Sequence, residues 1–517
     1  MKIKSLLIAL CAVWCSIASY GQEFEGFPRK GMPKDELTQV HTRAAGGYVM
    51  KGYVMKEFPT TGEIKAAVIL AEFSDVRFSI PHDSLKTLLS KRYNADDYTE
   101  KVSFKEHSVV YERDLSLNVS IPGSARDYFR DQSFGQFIPS FDIIGPVTLD
   151  NPRAYYGGNN SSGNDKNTLG MIKDACTKAV EKVDFKDYDC NNDGKVDIVY
   201  VVYAGCDEAQ TVADEALIKV PDAIWAKASS TSFTVEAIGV EVARYACSGE
   251  LVIDLPEVAG IGTFVHEFSH VLGLPDFYNT SLKGDEVDFT MDYWSVMDYG
   301  MYNAEGFVPC GYTAFERYSL GWIPMYTLEN PETMEIGTTN EEEMGYRIFT
   351  SDADTTSFYL LETIRREGWN RYAPNNGLLI SEVTYDSTAW RYNRVNVGTH
   401  RHCVVPANND YNYLTPANKH LFGTVNHEFT LSSTPASITQ FGVSMDKPLT
   451  EINYHAETGK TSFLFCGGNI TDGVDGCVDY SDIIIQHSEL IYDLQGRIVE
   501  NPSKGIYIRD GKKVVIK

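Results

Sequence analysis

Apolar and polar positions follow two periods along this chain, and the balance between them shifts once. "EIKAAVILAEF", Glu63 to Phe73, is too continuously apolar for a half-exposed strand and predicts a buried one. "GSARDYFRDQSFGQF" has helical spacing, with Ser124 placed as an N-cap and a break near Gly135. Thr168 to Val183 again has helical spacing, and Val196 to Gly205 reads as a central strand rich in β-branched and aromatic residues. This alternation predicts an α/β layer packed on a later helix. Beyond Trp322 the helical period fades. Short β-type runs such as "FYLLETI" and "GLLISEVTY" continue to about Cys466. Gly467 to Gly476 is a linker by composition, and the last stretch alternates around Gln495-Gly496 and Asp510-Gly511 turns, a small β unit. The class is therefore α+β.

The N-terminus has a different pattern. Lys2 and Lys4 precede the mostly apolar Leu6 to Ile17, and small residues follow at Ala18, Ser19 and Gly21. This is the pattern of a secretory signal, with cleavage expected near Gly21–Gln22; a lipoprotein signal using Cys11 or Cys15 is the rival reading. No later run is long and apolar enough to predict a bilayer span. The segment from 22 to 62 is polar and without period, and reads as a pro-segment or N-terminal arm. At 517 residues there is room for several domains without disulfide staples. The formal net charge of −25 argues against a nucleic-acid partner, whose phosphates such a surface repels, and suits acidic cation sites. Of ten cysteines, two lie in the signal. The other eight are scattered without a C-x-x-C pair, which excludes a zinc knuckle or a dithiol redox motif and leaves any disulfide pairing open.

The chemistry concentrates in "FVHEFSHVLGLPDFYN", Phe264 to Asn279. His266 and His270 are one helical turn apart, so both rings project from one face and reach one zinc ion. Glu267 lies where it can take the proton of a zinc-activated water. Gly273 is expected to end the helix with positive φ, and Pro275 forbids its continuation. The turned chain brings Asp276 back as the third zinc ligand. The other reading makes Asp276 a partner that only orients a histidine, with Asp292, Asp298 or a distant acid as the ligand.

This stretch resembles the extended zinc motif of the metzincins in its Asp-ended form. Within them it is similar to the immune-inhibitor-A-type metallopeptidases, as are "AVILAEFSDVRF", "SARDYFRDQSFGQF", "GLLISEVTY" and Tyr293 to Trp322. The resemblance covers roughly residues 63 to 466. It implies a metzincin-like catalytic domain at 63–325, a mixed sheet plus the active-site helix, followed by a β-rich subdomain at 326–466; the linker and sorting-like β segment at 467–517 lie beyond it. It also implies that Met297 is a Met-turn residue beneath the metal, with Met291 and Met301 as lesser candidates. Tyr299 is then placed to donate to a developing oxyanion. "GRIVENPSKGIYIRDGKKVVIK" resembles type IX secretion sorting segments, which implies surface attachment or release; a β appendage closing a sheet edge is the alternative.

A second cation is expected at "DYDCNNDGKVD", where oxygen-bearing residues alternate and Gly194 supplies a sharp turn. Asp187, Asp189, Asn191, Asp193, Asp197 and the Lys195 carbonyl are the candidate calcium ligands; Tyr200 stands where an EF-hand has its bidentate glutamate. Together these features predict a secreted zinc endopeptidase acting on proteins or peptides. An extended substrate is expected to add to a sheet edge within 232–246. An aminopeptidase or other zinc amide hydrolase, an adhesin-like binding protein on a peptidase scaffold, and a zymogen latched by the N-terminal arm are the alternatives. The arm has no cysteine to serve as a latch, and Asp35 or Glu36 is its candidate cap.

Overall fold

The computed structural model describes residues 58–90, 101–102, 119–161, 164–208, 222–252, 257–281, 288–412, 417–468, 505–509 and 512–516. The expected signal, the arm up to 57, Cys477 and the Gln495-Gly496 turn lie outside the described residues. Helices and several mixed sheets make the molecule α+β.

The first apolar run forms β1 (Gly62–Glu72), followed by α1 (His82–Ser90). Next come α2 (Ala125–Gln132), β2 (Phe137–Thr148), α3 (Thr168–Ala179) and β3 (Val199–Cys206). Ser124 caps α2 in a reciprocal capping box with Asp127, as its spacing foretells. The chain continues through β4 (Lys227–Ser229), β5 (Tyr245–Val252), β6 (Glu257–Val258) and α4 (Gly262–Leu272). The sheet runs β6-β5-β3-β1-β2, with β4 also on β5. Its β5, β3, β1 and β2 are parallel, while β4 and β6 add antiparallel.

The two-residue period of the strands sorts the core. Ala66, Val68 and Leu70 of β1, with Tyr200 and Val202 of β3, face α2 and α4 and pack among Phe129, Phe264 and Phe268. Ala67, Ile69 and Ala71, with Val199, Val201 and Tyr203, face the opposite side and pack on Met171, Ile172 and Ala175 of α3. Helices thus cover both faces of a largely parallel sheet, which explains its near-continuous apolar strands.

Two expectations need correction. The run from Val196 to Gly205 is not one strand: Lys195–Val196 belongs to a separate small sheet, and β3 begins at Val199. Asp197, whose carboxylate turns back to the Cys190 N–H, interrupts it. The proposed substrate edge at 232–246 also differs. Val240–Val242 pairs with Lys195–Val196 on one side and Phe233–Val235 on the other in a small sheet apart from the main one, and only the following β5 joins the main sheet, between neighbours on both sides.

Downstream lie α5 (Ala314–Ser319), β7 (Met325–Thr327), β8 (Gly345–Phe349), β9 (Ser357–Ile364), β10 (Gly377–Thr384) and β11 (His402–Val404). β7 to β11 form a sheet in sequence order. Tyr359 and Leu361 of β9 enter a separate core with Leu378 and Ile380 of β10. The alternate residues Phe358, Leu360, Leu379 and Val383 join the core around α4. The β-rich region is therefore packed into the same apolar cluster as the histidine helix. Strands Gly505–Arg509 and Lys512–Ile516 pair antiparallel across Asp510-Gly511.

Candidate metal centre

Every residue of α4 is buried, as suits a helix enclosed by a sheet and a second lobe. Its N-terminus packs so closely that a Cβ on Gly262 would meet the Met301 carbonyl oxygen at 2.0 Å. Its C-terminus closes as a Schellman motif: Gly273, at φ 106°, donates its N–H to His270 O, and Leu274 N–H donates to Ser269 O. The chain leaves this turn through Pro275 and returns at Asp276, whose neighbour Phe277 donates its N–H to Met297 O at 2.8 Å.

The result is a convergence of three side chains. His266 Nε2 and His270 Nε2 lie 3.1 and 3.2 Å from the same Asp276 oxygen, Oδ1. Among the described residues this is the one group of three or more His, Cys, Asp or Glu whose donor atoms converge so closely. Each ring is oriented from behind: His266 Nδ1 faces Val296 O at 2.9 Å and His270 Nδ1 faces Leu274 O at 2.7 Å. Carbonyl oxygens only accept, so both Nδ1 atoms carry the proton, and a neutral ring presents a bare Nε2 lone pair. Asp276 Oδ1 is buried and takes no hydrogen bond. Tetrahedral bonds of about 2.0–2.1 Å place neighbouring ligand atoms about 3.3 Å apart. Two bare imidazole nitrogens and an orphaned carboxylate oxygen at near that spacing fit a zinc ion. Without an ion, burial pushes the Asp276 carboxyl up, but a proton taken up by His270 and His266 would more than offset it, so the carboxyl lies well below its usual range and stays ionised.

Glu267 is also buried, with Oε2 unpartnered. Burial pushes its carboxyl up to about 8, with His266 opposing and Asp276 reinforcing. Met297 is fully buried, in a turn fixed by Ser295, whose Oγ accepts the Met297 N–H and donates to Glu316 Oε1 at 2.6 Å. Tyr299 is buried with its ring 6.0 Å from that of Tyr293. Asp298 is occupied by Thr290 and the N–H groups of Met291, Asp292 and Tyr299. Asp292 faces His420 at 3.7 Å, so neither acid joins the histidine pair.

The acidic loop is a tight turn. Asp189 accepts the N–H groups of Asp193 and Gly194, Asp193 accepts that of Lys195, and Asp197 accepts Cys190 N–H and Asn191 Nδ2. Asp187 is exposed on the preceding turn of 3-10 helix, and the loop acids are not drawn into a three-carboxylate cluster. All seven described cysteines are free thiols, five of them buried. Two features escaped sequence reasoning. Tyr278 stacks beside His266 with ring centroids 6.5 Å apart, and Asn393 hydrogen-bonds Asp276 from 117 residues downstream. The first lies inside the quoted motif; the second has no local signal at all.

A buried helix presenting two imidazoles and a glutamate, with a carboxylate returned by a glycine turn, defines a metallopeptidase-type centre. The comparison with known families agrees. The catalytic domain of the immune inhibitor A peptidase M6 family matches residues 56–322, over half of the chain, and the chain belongs to that family. Immune inhibitor A of Bacillus thuringiensis subsp. alesti is 26% identical over 308 residues, 52% of this chain and 43% of that protein. Pre-pro-metalloprotease PrtV of Vibrio cholerae serotype O1 (strain M66-2) is 26% identical over 260 residues, 44% of this chain and 26% of that protein. The matched regions thus span less than half of each relative.

Proposed function

We propose that this chain is a zinc-dependent endopeptidase, exported from the cell and acting on protein or peptide substrates. The observation that carries the reading is the convergence of His266 Nε2, His270 Nε2 and the unpartnered Asp276 Oδ1, with the unpartnered Oε2 of Glu267 on the same helix. His266, His270 and Asp276 would hold the ion. A bound zinc ion supplies Lewis acidity, polarising the scissile carbonyl and acidifying water. The protein's own groups do the rest. The Val296 and Leu274 carbonyls keep both Nε2 lone pairs aimed at one point. Glu267 accepts the proton of the attacking water and passes it to the leaving amine nitrogen. Tyr299, two residues beyond Met297, donates its hydroxyl to the developing oxyanion.

Export is supported by the N-terminal charge and hydropathy pattern. No described helix is long and apolar enough to cross a membrane. The C-terminal hairpin is the segment assigned to sorting or surface attachment. The loop from Asp187 to Asp197 binds calcium in a structural role, supported by its alternating oxygens and by the positive φ of 57° and 87° at Asn192 and Gly194. The N-terminal arm is assigned to latency before processing.

The decisive test is Glu267→Ala. Turnover of a peptide library is expected to vanish while zinc, measured by elemental analysis, stays bound. Retained peptidase activity would remove Glu267 from the chemistry, and cleavage confined to amino-terminal residues would replace the endopeptidase reading with an aminopeptidase one.

A further inference from the structure

The side chains that converge on the metal point lie within one short stretch, yet the last of them is oriented from far away. Asn393, 2% exposed, grips Asp276 with both ends of one amide. Its Oδ1 accepts the Asp276 backbone N–H at 2.6 Å, and its Nδ2 donates to Asp276 Oδ2 at 2.6 Å. One side chain therefore fixes both the backbone and the carboxylate plane of the same residue. With Oδ2 engaged, Oδ1 is the oxygen left facing the two imidazoles. Asn393 itself sits at φ 52°, a left-handed conformation that asparagine adopts more readily than most residues.

The grip extends along the chain. Asn393 O accepts the Thr280 hydroxyl at 2.9 Å, and Asn396 Nδ2 donates to Phe277 O at 2.6 Å. The segment after the glycine turn is thus held on one side by the Met297 carbonyl and on the other by the loop between β10 and β11. That loop lies beyond residue 322, where the match to the family's catalytic domain ends.

We propose that Asn393 is a positioning residue for the metal centre. It selects Oδ1 of Asp276 as a single-oxygen ligand and makes metal affinity depend on the β-rich region. This rests on the reading of Asp276 as the third ligand. The physical reason is that a carboxylate free to rotate turns away from the rings or offers both oxygens. A neutral amide fixes its orientation without placing a competing charge beside the ion. Outer partners of this kind are worth about 10–100-fold in metal affinity.

The experiment uses the purified full chain and does not depend on turnover. Zinc affinity is measured by competition with a chromophoric chelator, and the d–d absorption spectrum is recorded on the cobalt(II)-substituted protein. Asn393→Gly deletes the amide while keeping the backbone at ease with positive φ. Asn393→Asp keeps the shape and replaces the donor with a carboxylate oxygen against Oδ2. Asp276→Ala is the control. Both Asn393 variants are expected to weaken zinc binding by at least about tenfold and to change the cobalt spectrum. Should both bind zinc within about twofold of wild type with an unaltered spectrum, while Asp276→Ala binds weakly, the role of Asn393 is refuted and the ligand assignment stands. If Asp276→Ala itself binds zinc as well as wild type, the ligand assignment falls and the proposal falls with it. Should Asn393→Gly fail to fold, Asn393→Asp decides by the same criteria.

Discussion

Ser295 connects the turn that carries Met297 to the helix that follows it. Its hydroxyl donates to Glu316 Oε1 and accepts the Met297 N–H, and Glu316 in turn caps α5 through Thr313. Ser295→Ala leaves a buried carboxylate one donor short and frees the turn. A loss of about 1–3 kcal/mol is expected in denaturant unfolding. An unchanged midpoint would mean that this bond contributes nothing. Tyr299 is tested by a different quantity. Tyr299→Phe is expected to lower kcat with KM little changed, as fits a group that acts only in the transition state. Unaltered kcat would end its role as oxyanion donor.

At the scale of elements, the glycine turn after α4 carries the most consequence. Gly273 at φ 106° redirects the chain so that Asp276 faces the helix it has just left. Gly273→Ala places a Cβ in that region at about 1–2 kcal/mol and is expected to lower both melting temperature and zinc affinity. A variant that melts earlier but binds zinc normally would show that the turn serves stability alone. Here the sequence was informative for a physical reason: helix spacing, a positive-φ glycine and a proline are local signals. The same holds for the Ser124 cap and the apolar run of β1. Non-local pairing was not legible. The sequence shows neither that Lys195–Val196 leaves β3 for another sheet nor that Asn393 folds back on Asp276, because each partner lies far along the chain. The Tyr278 contact was missed although local, since an aromatic beside a motif reads first as packing.

At the scale of the whole molecule, charge and burial act together. The formal net charge of −25 is self-repelling near neutrality. Burial also pushes the carboxyls of Glu208 and Glu382 up to about 7. Between the unfolded value of about 4.3 and those raised values, the folded state holds protons that the unfolded state has lost. Their stabilising contribution is therefore complete below about pH 4 and lost as pH rises through about 7. The melting temperature of the metal-loaded protein is expected to fall from about pH 5.5 to about pH 8, with a shallower fall in Glu382→Gln. A rising profile over that range would contradict both arguments. A calcium-selective chelator is expected to lower the melting temperature, and no shift would dispose of the site at Asp187 to Asp197.

The chemistry turns first on where a metal ion sits. A crystal of the zinc-loaded protein, measured on both sides of the zinc absorption edge, settles it. The expected result is one strong anomalous peak about 2.0–2.2 Å from His266 Nε2, His270 Nε2 and Asp276 Oδ1, with an open position towards Glu267. A peak elsewhere, or an Asp276 carboxylate turned away from both rings while the ion is bound, would contradict it.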